Sequence, residues 1–404
     1  MSSRSHNRHA VTFIFITVLL DMVGFGLVMP VLPRLIENVS GTDLAGASLL
    51  AGWLFFAYGS MQFLFGPVLG NLSDAYGRRP VLLLSVFGLA VDYLLTGFAP
   101  NMWWLFLGRT FAGLCGASYT TANAYLADIT KPEERAKAFG LMGAAFGLGF
   151  IIGPAIGGIL GEYGPRVPFF VAAGVSMLNF TYGYFVLPET LPPNLRRPFS
   201  FARSNPIGVF RIFSTYKQVL PLCIVMSVYF FATSVYPAIW AFWGIARFGW
   251  TESTIGLTLA IHGLIMAIVQ GGLTGPAVKW LGERNAAVFA LVSSVIAATG
   301  YGLATGLGMV FVLFVVHAPE GFAQPALTAL MSKDAPPDAQ GELQGGIASA
   351  QNLAMLAGTV MFAQIFGLFM QDGSPFQSPN VGYFIAAMLC MLALVVFVRL
   401  PSRN

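Results

Sequence analysis

Crossing a hydrocarbon core of about 30 Å takes about 20 mainly apolar residues in a helix. This chain of 404 residues offers such runs near 11–33, 46–68, 80–98, 102–127, 138–161, 167–188, 218–245, 253–277, 285–304, 308–331, 343–370 and 379–400. Only helices suit them, because backbone exposed to lipid must satisfy its own N–H and C=O groups. Composition agrees: 56% of residues are hydrophobic and 9% charged, against about 25% charged in soluble domains. The net charge of +4, from 21 basic and 17 acidic residues, is too small and scattered for a nucleic-acid partner. The first run, Val11 to Val31, follows a basic N-terminus but continues through Pro30-Val31-Leu32-Pro33. It exceeds the 7–15 residues or so of a signal h-region and is read as a retained span. Cys115, Cys223 and Cys390 lie inside apolar runs without metal-ligand or disulfide spacing and read as small buried hydrophobes.

Basic residues orient the spans. Of the 21, Arg34, Arg166 and Arg247 fall on one side, Arg109 lies within the fourth span, and the other 17 fall on the opposite side with both termini. Both termini are therefore expected in the cytoplasm. The polar stretch Glu189 to Lys217, with Pro192-Pro193 and Arg196-Arg197-Pro198, reads as a cytoplasmic linker between halves 1-188 and 218-404. A constant offset of 205 residues supports a repeat: the turn Gly70 to Arg79 falls on Gly275 to Arg284. At the same offset Gly116, Pro132, Glu133, Gly140 and Gly153 fall on Gly321, Pro337, Asp338, Gly345 and Gly358.

Two motifs stand out. In the loop between spans 2 and 3, Gly70-Asn71-Leu72-Ser73-Asp74-Ala75-Tyr76-Gly77-Arg78-Arg79-Pro80 combines glycines that allow a tight turn, an aspartate that can cap or pair, and arginines suited to anionic headgroups. Its plain reading is a positive-inside loop. The string also resembles the signature loop of the major facilitator superfamily, G-x-x-x-D-x-x-G-R-R, which implies an intracellular gate made of Gly70, Asp74, Gly77, Arg78 and Arg79. In span 5, Gly143, Gly147, Pro154, Gly158 and Gly161 share one helical face that lets another helix approach. Such a face is usually packing. The fuller run with Gly149, Gly153 and Gly157 resembles the element found in the superfamily's antiporters.

A charge at mid-span costs about 2.5–3.5 kcal/mol on insertion scales, so ionisable residues inside spans mark candidate chemistry. They are Asp21, Asp92, Arg109, His262, His317 and Glu320, with Gln62 and Gln324 as polar companions. Arg109 needs an anionic partner or a hydrated cavity; for Asp92 and His317, hydration near a span end is the competing reading. Glu320, three residues from His317, shares its helical side. The repeat places Met226, Ala297 and Phe314 opposite the three N-terminal charges, so the halves share a scaffold but not a site.

Nearly the whole chain resembles the tetracycline–proton antiporters: Leu20-Asp21 through Pro33, Met61-Gln62-Phe63, Asp92-Tyr93, Leu107-Gly108-Arg109, Arg247-Phe248 and Gly341 to Gly345 carry the likeness. The resemblance implies export of a metal-chelated tetracycline against protons, with Asp21, Asp92 and Arg109 important. The C-terminal half departs from that family: its span 8 histidine falls on Met266, one turn after His262, and its span 9 aspartate near Ser294. Glu320, where the family has a small residue, is a candidate to replace that aspartate.

The expectation is an all-α integral membrane fold of twelve transmembrane helices, in two pseudo-symmetric six-helix halves around a central cavity, in the bacterial inner membrane. The expected activity is proton-coupled efflux of a small amphiphilic compound. Exporters of another drug class or of a metabolite or sugar are the alternatives, and a membrane-embedded enzyme is the remote one. No Walker loop points to ATP, and no paired catalytic motif points to an enzyme. The expected partners are the substrate, protons and lipid; no permanent cofactor is expected, and a divalent cation travels with the substrate in the family it resembles.

Overall fold

Glycine and proline punctuate otherwise continuous apolar sequence, and some helices end or break at them while α-helices continue through Pro67 and Pro154. The computed structural model describes residues 2–116, 118–131, 134–200, 205–206, 208–336 and 339–401. The first eight helices are α1 (Ser2–Val28), α2 (Leu32–Ser40), α3 (Leu44–Tyr76), α4 (Arg78–Gly97), α5 (Met102–Cys115), α6 (Ser118–Ile129), α7 (Arg135–Gly161) and α8 (Val167–Val186). After the short α9 (Arg211–Thr215) follow α10 (Leu220–Thr233), α11 (Val235–Phe248), α12 (Glu252–Ile268), α13 (Thr274–Leu281), α14 (Glu283–Leu303), α15 (Leu307–His317), α16 (Ala323–Ser332), α17 (Gln340–Met370) and α18 (Val381–Arg399). No strand occurs among the described residues.

Ten helical stretches are long and apolar enough to cross a membrane, and α1 with α2, bent by 56°, makes an eleventh. The fourth span, expected as one helix, is the pair α5 and α6, interrupted around Gly116, and it completes twelve. Two further spans are irregular inside. Gly271 and Gly272 lie in a π-helical stretch, Val269–Leu273, between α12 and α13. Pro319 and Gly321 lie in a 3-10 stretch, Ala318–Phe322, between α15 and α16. Such departures inside membrane helices survive where neighbouring groups satisfy the freed backbone.

Two compact units result. The first comprises Met1–Gly41, Ala57–Pro206 and Thr251–Ala260, and the second Thr42–Phe56, Ile207–Trp250 and Ile261–Asn404. In the first, α1 lies against α7: a Cβ added at Gly149 would come 2.8 Å from the Leu19 carbonyl oxygen, and one at Gly153 would come 2.6 Å from that of Val23. Glycine on α7 therefore sets how near the two backbones lie. Phe13, Ile14, Leu82, Tyr125, Leu126 and Met142 fill the core behind this contact. In the second unit α10 packs on α17 in the same manner, with Gly358 facing the carbonyl of Phe231. The first turns of α3 also belong to this unit: Ser48 Oγ donates to the Ala363 carbonyl at 2.9 Å, and Gln364 Nε2 to that of Leu49 at 2.8 Å.

Several repeat-related positions play the same local part. Gly77 precedes α4 at φ 109° and Gly282 precedes α14 at φ 78°. Arg79 Nη2 donates to the Tyr184 carbonyl near the end of α8 at 2.6 Å, and Arg284 Nη2 to the Leu400 carbonyl beyond α18 at 2.6 Å. Gly116 and Gly321 both sit where a span is interrupted. Pro132, Glu133, Pro337 and Asp338 lie outside the described residues. The segment after Glu189 is fastened down: Arg197 N donates to the Asp74 carbonyl at 3.0 Å, and Asn71 Nδ2 to that of Ser200 at 2.6 Å. Further along, Ile212 and Phe213 enter the core of the second unit.

Candidate translocation site

The N-terminal charges meet around one small cavity. Asp21, Phe25, Tyr58, Asp92, Tyr93 and Arg109 line a volume of about 40 Å³ with Val18, Met22, Leu89, Ala112 and Gly116, enough for about three waters. Arg109 Nη2 reaches Asp92 Oδ2 at 2.7 Å, while Thr96 Oγ1 donates to Asp92 Oδ1 at 3.3 Å. Asp92 is 0% exposed, so it does not meet bulk water at a span end: the carboxylate lies in protein, on the wall of this cavity, and is balanced by the guanidinium. Gly108 makes the approach possible, since a Cβ there would stand 2.9 Å from both Asp92 Oδ1 and Thr96 Oγ1. On α1, Gly24 faces the Tyr93 ring, whose Cζ would lie 2.9 Å from an added Cβ. Gln62 Nε2 donates to the Gly116 carbonyl at 3.3 Å, bracing the break in span 4 beside the cavity. Two carboxyl groups and one guanidinium thus line the same cavity, and a single proton changes the wall's charge balance.

A second polar cluster lies in the other unit. His317 Nε2 contacts Glu320 Oε2 across the 3-10 turn, and Ser294 Oγ donates to the same oxygen at 3.1 Å. Tyr301 OH lies 3.3 Å from His317 Nδ1. His262 stacks on His317 at 5.0 Å between ring centroids, and Tyr236 meets it at 4.7 Å. His317 is 2% and Glu320 8% exposed, so here too hydration at a span end is overturned. The buried Nδ1 of His262 has no hydrogen-bond partner among the described residues. Gln324 stands apart from the cluster, with its Nε2 3.5 Å from Gln351 Oε1. Among the described residues, no group of three or more histidine, cysteine or carboxylate side chains could hold a metal ion. Tyr58, Thr96 and Tyr301 escape the sequence reading, although Thr96 lies one helical turn from Asp92 and could be found by that spacing.

At the ends of α3 and α4 the loop motif forms a network. Arg78 contacts Asp74, and its Nε donates to Asp128 Oδ2 at 3.2 Å and its Nη1 to Ser73 Oγ at 2.7 Å. Ser73 Oγ in turn donates to the Gly70 carbonyl at 2.8 Å. A Cβ at Gly77 would lie 2.8 Å from Cδ of Glu189. In α7 the glycines do not act as one face. Gly153 and Gly157 meet α1, Gly158 and Pro154 meet the segment around Glu252 and Gly256, and a Cβ at Gly143 or Gly147 would meet nothing within 4 Å. The close approach therefore rests on Gly149, Gly153 and Gly157, displaced around the helix from Gly143 and Gly147.

Comparison with known proteins decides the family. The family model described as Major Facilitator Superfamily matches residues 14–359. The chain belongs to the major facilitator superfamily. Among superfamily relatives, the class C tetracycline resistance protein of Escherichia coli is 39% identical over 89% of this chain and 90% of its own length. The class G tetracycline resistance protein of Vibrio anguillarum is 38% identical over 86% and 88%. The crystal structure of the human organic anion transporter MFSD10 covers 97% of this chain and 99% of its own, with 25% identity and a TM-score of 0.70. Superfamily membership makes the chain a multi-pass membrane transporter, not an enzyme.

Proposed function

We propose that this transporter exports a tetracycline-type compound, or a small amphiphile of similar chemistry, in exchange for protons by alternating access. The observation that carries the reading is the buried Arg109–Asp92 pair on a cavity that Asp21 also lines. It stands in a chain whose relatives are named for tetracycline resistance. Asp21, Asp92 and Arg109 handle the proton and the substrate in the N-terminal half, with Gln62 bracing the wall. In the C-terminal half Glu320, held by Ser294 and His317, supplies the carboxylate that the sequence lacks at residue 294. His262 and Gln324 complete that side of the route.

The halves 1-188 and 218-404 work as the two moving bodies. Gly70, Asp74, Gly77, Arg78 and Arg79 form the cytoplasmic gate, and the glycines of α7 give the antiporter helix its close packing. Both termini face the cytoplasm of a bacterial inner membrane. The proton gradient supplies the energy, and any divalent cation enters bound to the substrate.

The test is uptake of tetracycline into everted vesicles containing the protein, with and without a protonophore. Proton-dependent uptake that Arg109→Ala removes is the expected result. Absence of uptake for tetracyclines, with accumulation of another class in a wider drug panel, would move the substrate and leave the transporter reading intact.

A further inference from the structure

A second cavity, unconnected with the proposed route, lies on the outer surface of the first unit where α4 begins and α8 ends, and it has the build of a lipid site. Its volume is about 570 Å³, and its walls include Arg79, Leu84, Phe87, Tyr184, Glu189 and Arg196. Leu84 is 67% exposed, Tyr184 55% and Phe87 38%, so the apolar wall is open along two membrane-spanning helices. The polar end is cationic. Arg79 has no carboxylate within 4.0 Å of its guanidinium among the described residues, and its buried Nε has no hydrogen-bond partner there. Arg196 stands 4.0 Å from Glu189 Oε2.

Glu189 does not neutralise this pair fully, because one carboxylate faces two guanidinium groups and is held by backbone donors. Oε1 accepts from the backbone N–H groups of Arg78 and Thr190 at 2.9 Å and of Leu191 at 3.0 Å, and Oε2 from that of Arg79 at 3.3 Å. Glu189 thereby caps the start of α4, where the helix dipole favours an anion. Two guanidinium groups remain beside one committed carboxylate, at the depth where spans end and lipid headgroups begin.

We propose that this groove binds one anionic phospholipid, its phosphate between Arg79 and Arg196 and an acyl chain along Leu84, Phe87 and Tyr184. The charge complementarity selects an anionic over a zwitterionic headgroup, and the exposed apolar wall selects a lipid over free phosphate. Because Arg79 belongs to the loop motif and Glu189 accepts from its backbone at Arg78 and Arg79, the bound lipid would brace the turn at Gly77.

The full-length protein in mild detergent, exchanged with equal phosphatidylglycerol and phosphatidylcholine of matched chains, provides the test by native mass spectrometry. One arginine near a charged headgroup corresponds to about a fivefold preference. Wild type is therefore expected to retain phosphatidylglycerol at least about fivefold over phosphatidylcholine. Arg196→Gln should lower that ratio about fivefold, and Arg196→Lys should keep most of it, which separates charge from loss of fold. Excess inorganic phosphate should leave the adduct in place. Equal retention of the two lipids by wild type, an unchanged ratio in Arg196→Gln, or displacement by phosphate would each overturn the assignment.

Discussion

Arg109 and Asp92 are tolerable inside a membrane protein because each removes the other's penalty. Their 2.7 Å contact is a charge-assisted hydrogen bond made by one arm of a planar guanidinium. The same Nη2 lies 3.5 Å from Thr96 Oγ1, so one nitrogen at the end of the arginine side chain serves both partners, and the shorter, more strongly hydrated lysine ammonium would have to reach the same point. Arg109→Lys keeps the charge and should still cut transport by roughly tenfold or more, the equivalent of losing one such bond of about 1.5–3 kcal/mol. Wild-type rates in the lysine variant would mean that charge alone matters at residue 109. Gly108 offers a test that leaves every charge in place. Its alanine variant puts a methyl group within van der Waals overlap of the Asp92 carboxylate and the Thr96 hydroxyl. Either the pair shifts or α4 and α5 move apart. Vesicle uptake should fall while the amount of protein in the membrane changes little, and unaltered uptake would show that the pair's placement has slack.

The loop elements differ between the halves in a way that predicts unequal responses to one kind of substitution. Gly77 has φ 109° and ψ 154°, and Gly282 has φ 78° and ψ 157°, a region open essentially to glycine and costing other residues about 1–3 kcal/mol. At Gly282 an added Cβ meets nothing within 4 Å, whereas at Gly77 it meets Glu189 and Arg196. Gly282→Ala should therefore lower thermal stability by the backbone cost alone, and Gly77→Ala by more, measured as melting of the detergent-solubilised protein. Equal shifts would mean that Glu189 and Arg196 make room for the added methyl group at no cost. The twelve spans and the loop are legible in the sequence because bilayer thickness and turn chemistry each leave a linear trace. The interruptions at Gly116, Val269–Leu273 and Ala318–Phe322 are not legible, because glycine and proline are tolerated in membrane helices wherever a neighbour satisfies the backbone. Asp92 and Arg109 can be picked out as rare charges, but their pairing across 17 residues depends on how α4 lies against α5.

At the scale of the whole transporter, two matters remain for experiment, orientation and coupling. Reporter fusions after residue 210 and at the C-terminus should both report cytoplasm, given 17 basic residues on that side against three on the other. A periplasmic signal at either place would remove the orientation. Coupling turns on the fact that acidic groups occur inside both units, the partly buried Asp21 and the buried Asp92 in one and the buried Glu320 in the other. An antiporter must forbid return of the empty carrier unless a proton is aboard, so a coupling carboxyl has to matter to movement more than to substrate affinity. In the proposed route Glu320 takes that part: it sits in a 3-10 turn between α15 and α16, and its carboxylate bonds His317 on its own span and Ser294 on α14. Protonation would loosen both contacts and free the span. Glu320→Gln resembles the protonated form permanently. It should abolish proton-driven export while leaving tetracycline binding measurable by fluorescence quenching, and it should leave substrate exchange across the membrane running without a gradient. Asp21→Asn, on the cavity wall itself, should weaken both binding and export. If Glu320→Gln exports at wild-type rate across several pH values, the cluster around His317 is a packing device and the proton is carried by the N-terminal aspartates.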